Sequence, residues 1–182
     1  MSRIPALDPI TATGKTAELF TAVKAKLGVV PNLMRTLAQS PAALEAYLGF
    51  SATLATGVLP GKVREQLALA IAETNSCDYC LAAHSLLGKG AGLTPEAMVD
   101  ARRLQAREAK SDALLKFAAA VVETRGLVSD AAVTVVRAAG ASDAEIIETV
   151  AHVALNILTN YTNHVAQTVV DFPAAAPLTV AV

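Results

Sequence analysis

The sequence predicts an all-α protein, and three observations support that fold class. Hydrophobic residues make up 53% of the 182 residues but aromatic residues only 4%, so Ala, Val and Leu supply most of the apolar surface. That composition suits closely packed helices better than a β-sandwich. Apolar residues recur at helical spacing, and no alternating run is bounded by hairpin turns. A chain of this length accommodates one domain with a sizeable core.

The first part of the chain predicts an arm followed by three helices. Residues 1–14 hold two prolines and few periodic apolar positions, so we expect an extended N-terminal arm. A helix is predicted in GKTAELFTAVKAKLG, which Gly28 can end, and a short one follows the turn in VVPNLMRTLAQSP. The third lies in SPAALEAYLGFSATLATG, where Ser40 is the cap, Pro41 is the first helical residue and Gly57 closes the helix.

The remaining helices follow with short connections. LPGKVREQLALAIAETNS predicts a strong amphipathic helix, and SCDYCLAAHSLLGKG follows at once with Ser76 as its expected cap. Further helices are predicted in LTPEAMVDARRLQ, which opens with Thr94 as cap, in KSDALLKFAAAVVETRG, and in VSDAAVTVVRAAG and ASDAEIIETVAHVALNILTNYTNHVAQTVVDF, which both begin at Ser-Asp caps. The tail over residues 173–182 breaks the pattern. We therefore expect a single domain over residues 1–182.

One spacing in the chain recurs. The first set is Glu65, Cys77 and Cys80, and the second, at a constant offset of 83, is Glu148, Asn160 and Asn163. Both sets have apolar flanks, so the spacing is compatible with an internal pseudo-repeat of helical pairs.

The net charge of the chain and the composition of its N-terminus exclude some classes of function. The chain has 17% charged residues, a formal net charge of −1 and no basic block, so nucleic acid is not an expected partner. No apolar run reaches the roughly 18 residues that span a bilayer. The N-terminus lacks the apolar segment of a signal peptide, so we expect a cytoplasmic protein with no membrane partner. Because few charges leave apolar surface to cover, we also expect a homo-oligomer.

Both cysteines lie within ETNSCDYCLAAHS, residues 73 to 85. With Ser76 as N-cap, Cys77 takes the first helical position, and Cys80 and His84 follow on the same helix face. Free backbone N–H groups at a helix start favour a thiolate. A pair of thiols at this spacing can attack and then resolve the product as a disulfide.

The residues alone leave three interpretations of this cluster open. It can be a redox pair, a metal site or two inert buried thiols. A structural zinc site needs four ligands, and the cluster offers two cysteines and one histidine. A redox pair also needs a group that moves protons. His84 is placed by spacing, whereas Glu65 and Glu73 on the preceding helix both qualify as the carboxylate, with simple exposure as the alternative for each.

Glu65, Cys77, Cys80 and His84 form the pattern E-x11-C-D-Y-C-x3-H. It resembles the active-site signature of the alkylhydroperoxidase D (AhpD) family, within the carboxymuconolactone decarboxylase superfamily. The flanks VPNLMRTLAQSPAALEAYLGFSATLATGVL and NYTNHVAQTVVDFP resemble its uncharacterised peroxidase-related members, and the resemblance covers roughly residues 15–175.

This resemblance implies a compact, multi-helix AhpD-like fold that assembles as a trimer or hexamer. It implies an oxidoreductase that reduces organic hydroperoxides through a Cys77–Cys80 redox disulfide, with a lipoyl or thioredoxin-like dithiol as reductant and without metal or cofactor. Cys80 would attack the peroxide, Cys77 would be the more accessible resolving thiol, and Glu65 and His84 would relay the proton. Helix-terminus electrostatics favour Cys77 as the nucleophile instead, but we follow the family because proton transfer depends first on geometry.

Tyr79 marks a departure from the family pattern. The best-known peroxidases of the family have a histidine just before the second cysteine, where this chain has Tyr79. A tyrosine can donate a hydrogen bond, but with a pKa of about 10 it carries protons poorly at neutral pH. The substitution therefore bears on the rate and on the substrate.

Secondary candidates lie on the last helix. Asn156, Asn160, Asn163 and His164 are predicted on one face of an otherwise apolar helix, where they line the active cavity or form a buried polar network without chemistry. His152 is predicted to be a satisfied core or interface histidine. The simplest interpretation of Arg102, Arg103 and Arg107 is a solvated helix face.

Two alternatives to a peroxidase stay open. The first is a lactone decarboxylase-like enzyme on the same fold, in which the thiols are incidental. The second is a redox-sensing module without turnover, whose disulfide reports oxidation to a partner. The complete Glu65, Cys77, Cys80 and His84 set argues against the decarboxylase.

Overall fold

The computed structural model describes residues 2–178. Within this range the chain forms helices alone, without a strand, which confirms the all-α prediction. The helices are α1 (Gly14–Leu27), α2 (Asn32–Leu37), α3 (Pro41–Leu54), α4 (Gly61–Thr74), α5 (Asp78–Gly90), α6 (Pro95–Arg102), α7 (Ala109–Thr124), α8 (Asp130–Ala138) and α9 (Asp143–Ala166). None of the described helices is long and apolar enough to cross a membrane.

The core is organised around α4. Residues 67–72 of this helix are all buried, and α4 packs against α5, α6, α7 and α9. A helix that is apolar all round must be covered on every side. The central position of α4 fixes the residues at its two ends, which include Glu65 near its start and the turn into α5 at its end.

Most predicted helix ends are found in the structure. Ser40, Thr94, Ser129 and Ser142 each accept a hydrogen bond from a backbone N–H in the first turn of their helices. Gly28 ends α1 with a φ of 79°, a left-handed conformation that glycine adopts without strain. The third helix ends at Leu54, a few residues before the predicted Gly57.

The predicted start of α5 is one residue too early. Cys77 is the N-cap and Asp78 the first helical residue, so Ser76 does not cap α5. Ser76 instead has a φ of 54°, its N–H donates to Glu73 O, and the N–H of Cys77 donates to Ala72 O. These two bonds form a Schellman motif that terminates α4. Ser76 therefore belongs to the end of the preceding helix, which explains the abrupt turn between α4 and α5.

The recurring spacing corresponds to different secondary structure in its two copies. Glu65, Cys77 and Cys80 span the break between α4 and α5, whereas Glu148, Asn160 and Asn163 all lie on the continuous helix α9. The helical pair of the first copy is thus not repeated in the second.

The two ends of the described chain pack against the helices. The N-terminal arm is free of helix up to residue 13 and hydrogen-bonds to the end of α9 and to α2. Residues 169–176, which we call the C-terminal strap, cross α2, α5 and α6. Asp171 accepts hydrogen bonds from the N–H of Asn32 and from the Tyr79 hydroxyl, each at 2.8 Å, and Ala176 O accepts one from Arg102. Residues 179–182 of the predicted tail lie outside the described range.

Candidate active site

Glu65 and His84 meet across the α4–α5 contact. Their side chains approach to 2.8 Å between Glu65 Oε2 and His84 Nδ1, and each is about one fifth exposed, at 21% and 22%. Glu73, the other candidate carboxylate, is held by Arg102 at 2.7 Å instead. Of the two glutamates, only Glu65 is therefore available beside the histidine.

Arg102 does not lie on a solvated face, as the sequence suggested. Its side chain is buried, ion-paired with Glu73, and donates to Ala176 O at 2.7 Å. Its role is to fasten the C-terminal strap to α4, because both of its partners lie on those elements.

Cys80 is surrounded by groups that stabilise a thiolate. Asn163 Nδ2 donates to its sulfur at 3.3 Å, and the Thr159 hydroxyl lies 3.9 Å away. The pKa of Cys80 is lowered, mainly by a hydrogen bond from the Cys77 thiol and further by the side chains of Asn163, Asn160 and Thr159, although burial opposes the effect. The Nδ2 group of Asn160 is buried and has no hydrogen-bond partner within residues 2–178. Hydrogen bonds to the charged form thus outweigh desolvation here.

Cys77 has the opposite tendency. Its pKa is raised, first because its thiol donates to Cys80 and then because it is buried. The two cysteines are free thiols in this structure. The pair is therefore asymmetric, with Cys80 ready to ionise and Cys77 holding its proton.

The expectation that Cys77 is the more accessible thiol is wrong. Cys77 is 1% exposed and Cys80 is 2% exposed. The helix-terminus argument for Cys77 is outweighed. As the N-cap of α5, Cys77 has its pKa lowered by the backbone N–H of Cys80, but the hydrogen bond from its thiol to Cys80 and its burial raise the pKa more.

A large cavity of about 540 Å³ leads to Cys80. Its walls are mostly apolar side chains from α1, α2, α3 and α5, with Phe172 of the strap at one side. The polar groups in its wall include Glu65, His84, Thr159 and the sulfur-bearing Cys80. A cavity of this kind suits an organic molecule with an apolar body and a reactive end near the thiol.

Tyr79 lines the large cavity, but its hydroxyl is fully engaged. It donates to Asp171 Oδ1 at 2.8 Å and accepts from the N–H of Leu33 at 3.0 Å, and its ring packs edge-on against Phe172 at 5.6 Å. Burial raises the pKa of its hydroxyl. Tyr79 therefore ties α5 to α2 and to the strap, an arrangement that leaves its proton in a structural hydrogen bond.

The polar residues of α9 separate into two groups. Asn156, Asn160 and Asn163 are buried and face the site, and Asn75 Nδ2 donates to Asn160 Oδ1 at 2.9 Å. His164 is exposed and stacks on Tyr161 with ring centroids 6.5 Å apart. The prediction of one shared face thus holds for the asparagines and is wrong for His164, because residues 163 and 164 are neighbours in a helix and must diverge by about 100°.

A small cavity of about 170 Å³ adjoins the site. The residues that it shares with the large cavity include Glu65, His84 and Thr159, and its other polar groups include Arg64, Asn156 and His152. His152 is 5% exposed and its Nε2 has no hydrogen-bond partner among the described residues, so it is not the satisfied histidine that was expected. Burial lowers its pKa, and the charge of Arg64 adds to the effect.

The sequence missed Thr159 and Asn75. Thr159 lies three residues after Asn156 and four before Asn163, so the helical spacing that identified the asparagines could have identified it as well. Asn75 lies in the turn between α4 and α5, where no periodicity applies. Within residues 2–178, no group of three or more His, Cys, Asp or Glu side chains is arranged to hold a metal ion.

Solved structures with the same architecture define the class of fold. An uncharacterised peroxidase-related protein from Ralstonia eutropha JMP134, described as an alkylhydroperoxidase AhpD core, matches with a TM-score of 0.83 and 24% identity over 93% of this chain and 92% of that one. A peroxidase-related protein from Silicibacter sp. TM1040 matches with a TM-score of 0.77 and 24% identity over 91% of both chains. The debrominase Bmp8, in complex with 2,3,4-tribromopyrrole, matches with a TM-score of 0.79 and 17% identity over 92% and 91%. The fold is therefore AhpD-like.

Residues 41–124 match the carboxymuconolactone decarboxylase family. The matched segment runs from the first residue of α3 to the last of α7 and includes Glu65, Cys77, Cys80 and His84. Over this segment the chain is similar to the carboxymuconolactone decarboxylase family, which supports the resemblance that its cysteine signature carries. No curated protein matches it.

Proposed function

We propose that the protein is a thiol peroxidase that reduces organic hydroperoxides with the Cys77–Cys80 pair. The observation that carries this proposal is the environment of Cys80. Its pKa is lowered by neighbouring donors, it lies in the wall of a large apolar cavity, and the Glu65–His84 pair lines the same wall. A stabilised thiolate, a space for an organic substrate and a proton-carrying pair are what such a reaction requires.

In the first step the Cys80 thiolate attacks the outer oxygen of the hydroperoxide. The S–O bond forms while the O–O bond breaks, so sulfur is oxidised to a sulfenic acid and the organic part leaves as an alkoxide. The alkoxide takes one proton from the His84–Glu65 pair and departs as an alcohol. Because His84 is held against Glu65 at 2.8 Å, its ring orientation is fixed for this transfer.

In the second step Cys77 resolves the sulfenic acid. The Cys77 sulfur forms a bond with the Cys80 sulfur, and the oxygen leaves as water with the proton of the Cys77 thiol. A dithiol of the lipoyl or thioredoxin-like class then reduces the disulfide and is itself oxidised. The sum is one hydroperoxide and two thiols converted to an alcohol, water and a disulfide.

This function is tested by intact mass and peroxide loss in the same tube. Fully reduced protein is mixed with one equivalent of cumene hydroperoxide. We expect a loss of two hydrogens per chain, matched by peroxide consumption, and we expect neither for Cys80→Ser. A Cys77→Ser variant should instead stop at the sulfenic acid, a gain of one oxygen. If the reduced thiols survive while the peroxide persists, the peroxidase proposal is wrong.

A second candidate is removal of halogen from an aromatic ring by the same thiols. The debrominase Bmp8, which shares this fold, was solved with 2,3,4-tribromopyrrole, and the large cavity here also suits an apolar ring. In this reaction the two thiols would supply two electrons and two protons. The C–Br bond of the aryl bromide would break to give an aryl C–H bond and hydrogen bromide, and the thiols would form a disulfide. This candidate would be favoured if the protein releases bromide from 2,3,4-tribromopyrrole but does not consume a hydroperoxide in a separate assay.

The decarboxylase and sensor alternatives make different predictions. Lactone decarboxylation would survive Cys80→Ser, because it would not use the thiols. A sensor would form one disulfide but would not turn over with a dithiol present. Assembly as a homo-oligomer, trimeric or hexameric, stays a prediction. The outward side of α9 has an exposed apolar surface at which subunits could pack, and it includes Ile147, Leu158 and Val165.

A further inference from the structure

His152 is a buried titratable group that the proposed reaction does not use. It lies on α9, is 5% exposed, and its Nε2 has no hydrogen-bond partner among the described residues. Leaving a buried polar atom unpaired costs about 1–3 kcal/mol, so a native structure rarely keeps one without a role. The sequence retains a histidine at a core position where an apolar residue would pack without that cost.

The surroundings of His152 point to water. It lines the small cavity of about 170 Å³, whose polar groups come from three other helices. A cavity with several polar groups and more than about 15 Å³ of free volume holds ordered water. The charged and titratable groups facing it are Tyr47 of α3, Arg64 and Glu65 of α4, His84 of α5 and, on its own helix, Glu148.

The small cavity and the large cavity have a wall in common. Glu65 and His84 lie in this shared wall, together with Tyr47, Ser51, Leu87 and Thr159. Cys80 lines only the large cavity and His152 only the small one, so the proton-carrying pair lies between the thiol and the polar chamber. An organic substrate in the large cavity displaces water from the thiol side, because most of that wall is apolar.

We propose that His152 and the water of the small cavity return a proton to the Glu65–His84 pair after each turnover. This inference rests on the proposed peroxidase function, in which the departing alkoxide takes one proton from the pair. An equal proton must come back before the next alkoxide can be protonated. A neutral imidazole accepts a proton at one ring nitrogen and gives one from the other, so His152 can pass protons without holding a charge in the core. His152 is accordingly a positioning and relay residue that does not touch the substrate.

The test compares steady-state loss of cumene hydroperoxide, with saturating dithiothreitol as reductant, with peroxide loss in a single turnover of fully reduced protein. His152→Ala should slow steady-state turnover at least tenfold, a cautious threshold beside the roughly 100-fold or more that general acid–base groups contribute. It should leave the single turnover unchanged, because the first proton is already on the Glu65–His84 pair. Added imidazole should restore much of the rate, since the enlarged cavity can hold it. The matched control is Thr149→Val, a buried change one turn earlier on α9 at a residue that lines neither cavity, and its rate should equal that of the unaltered protein.

The outcomes separate this inference from the function on which it rests. If the unaltered protein consumes no peroxide, the peroxidase proposal itself is wrong. If it does, and His152→Ala matches Thr149→Val or is slow but insensitive to imidazole, the role given to His152 is wrong. If the His152→Ala variant does not fold, His152→Gln replaces it in the test, because glutamine keeps much of the volume and the polarity of the histidine side chain. A His152→Gln rate and solvent deuterium isotope effect both equal to those of the unaltered protein would equally overturn the inference.

Discussion

At the scale of single residues, the reactivity of Cys80 depends on donors supplied by α9. Asn163 Nδ2 lies 3.3 Å from the sulfur, and Asn160 and Thr159 add to the same effect on the pKa. A buried thiol without such donors would keep its proton, since burial alone raises a thiol pKa. The same helix thus supplies the polar contacts of a site whose sulfurs lie on α5 and in the turn before it.

The first prediction concerns Asn163. Asn163→Leu removes a donor to the thiolate, so the pKa of Cys80 should rise toward its ordinary value. A lowered pKa increases the fraction of Cys80 that is ionised at neutral pH, and raising the pKa reduces that fraction, so the difference should vanish at a pH above both values. Because the variant loses one hydrogen bond to the thiolate, its rate of peroxide reduction at pH 7 should be about threefold to tenfold lower than that of the unaltered protein. The measurement is thiolate absorbance and rate against pH.

The control for Asn163→Leu is Thr162→Val. Thr162 lies on the neighbouring position of α9 and donates to Leu158 O on the outer side of the helix. Its pH profile should match that of the unaltered protein. An Asn163→Leu profile that also matches would show that this amide does not stabilise the thiolate.

At the scale of helices, the position of α4 depends on a clamp from α9. Glu148 accepts hydrogen bonds from the N–H groups of Val58 at 2.8 Å and Leu59 at 3.0 Å, in the connection that leads into α4. Gly57 leaves room for this carboxylate, because a Cβ there would lie 2.3 Å from Glu148 Oε1. The clamp therefore sets the distance between the helix that bears Glu65 and the helix that bears the asparagines.

The second prediction follows from that contact. Gly57→Ala should lower the free energy of unfolding by about 2 kcal/mol, because the carboxylate can move only by giving up its two amide hydrogen bonds. Gly49→Ala is the matched control, since a Cβ at this position inside α3 meets nothing within 4 Å. It should raise stability by up to about 1 kcal/mol through helix propensity. Urea denaturation of both variants measures the difference, and equal midpoints would contradict the clamp.

The helices show which features a sequence can predict. Helical periodicity and Ser or Thr caps located α3, α6, α8 and α9, because these signals act within one turn of the chain. The start of α5 was misplaced since Ser76 carries both signals, as a possible cap and as the left-handed end of α4. The pairing of Glu65 rather than Glu73 with His84 depends on how α4 and α5 pack, and helical spacing within α5 cannot determine it.

At the scale of the whole molecule, both ends of the chain help to enclose the site. The C-terminal strap reaches Tyr79 through Asp171 and places Phe172 in the wall of the large cavity. The N-terminal arm is joined to the end of α9, where Arg3 N donates to Ala166 O at 2.7 Å. These contacts cannot be predicted from a local sequence pattern, because they join residues that are more than 90 positions apart. The burial of Cys77 likewise results from the assembled fold.

The last prediction concerns access to the buried pair. Cys77 and Cys80 are 1% and 2% exposed, and the wall of the cavity that leads to Cys80 is mostly apolar. A bulky disulfide reagent that carries two carboxylates therefore cannot reach either sulfur without local opening of the fold. We expect the reduced protein to react with 5,5′-dithiobis(2-nitrobenzoic acid) at least about 100-fold more slowly when native than when unfolded in urea, since opening to expose these core thiols should cost at least about 3 kcal/mol. Cumene hydroperoxide should still react promptly with the native protein through the large cavity. Equal thiol labelling of native and unfolded protein would show that Cys77 is open to solvent, and a dithiol reductant could then act without any opening.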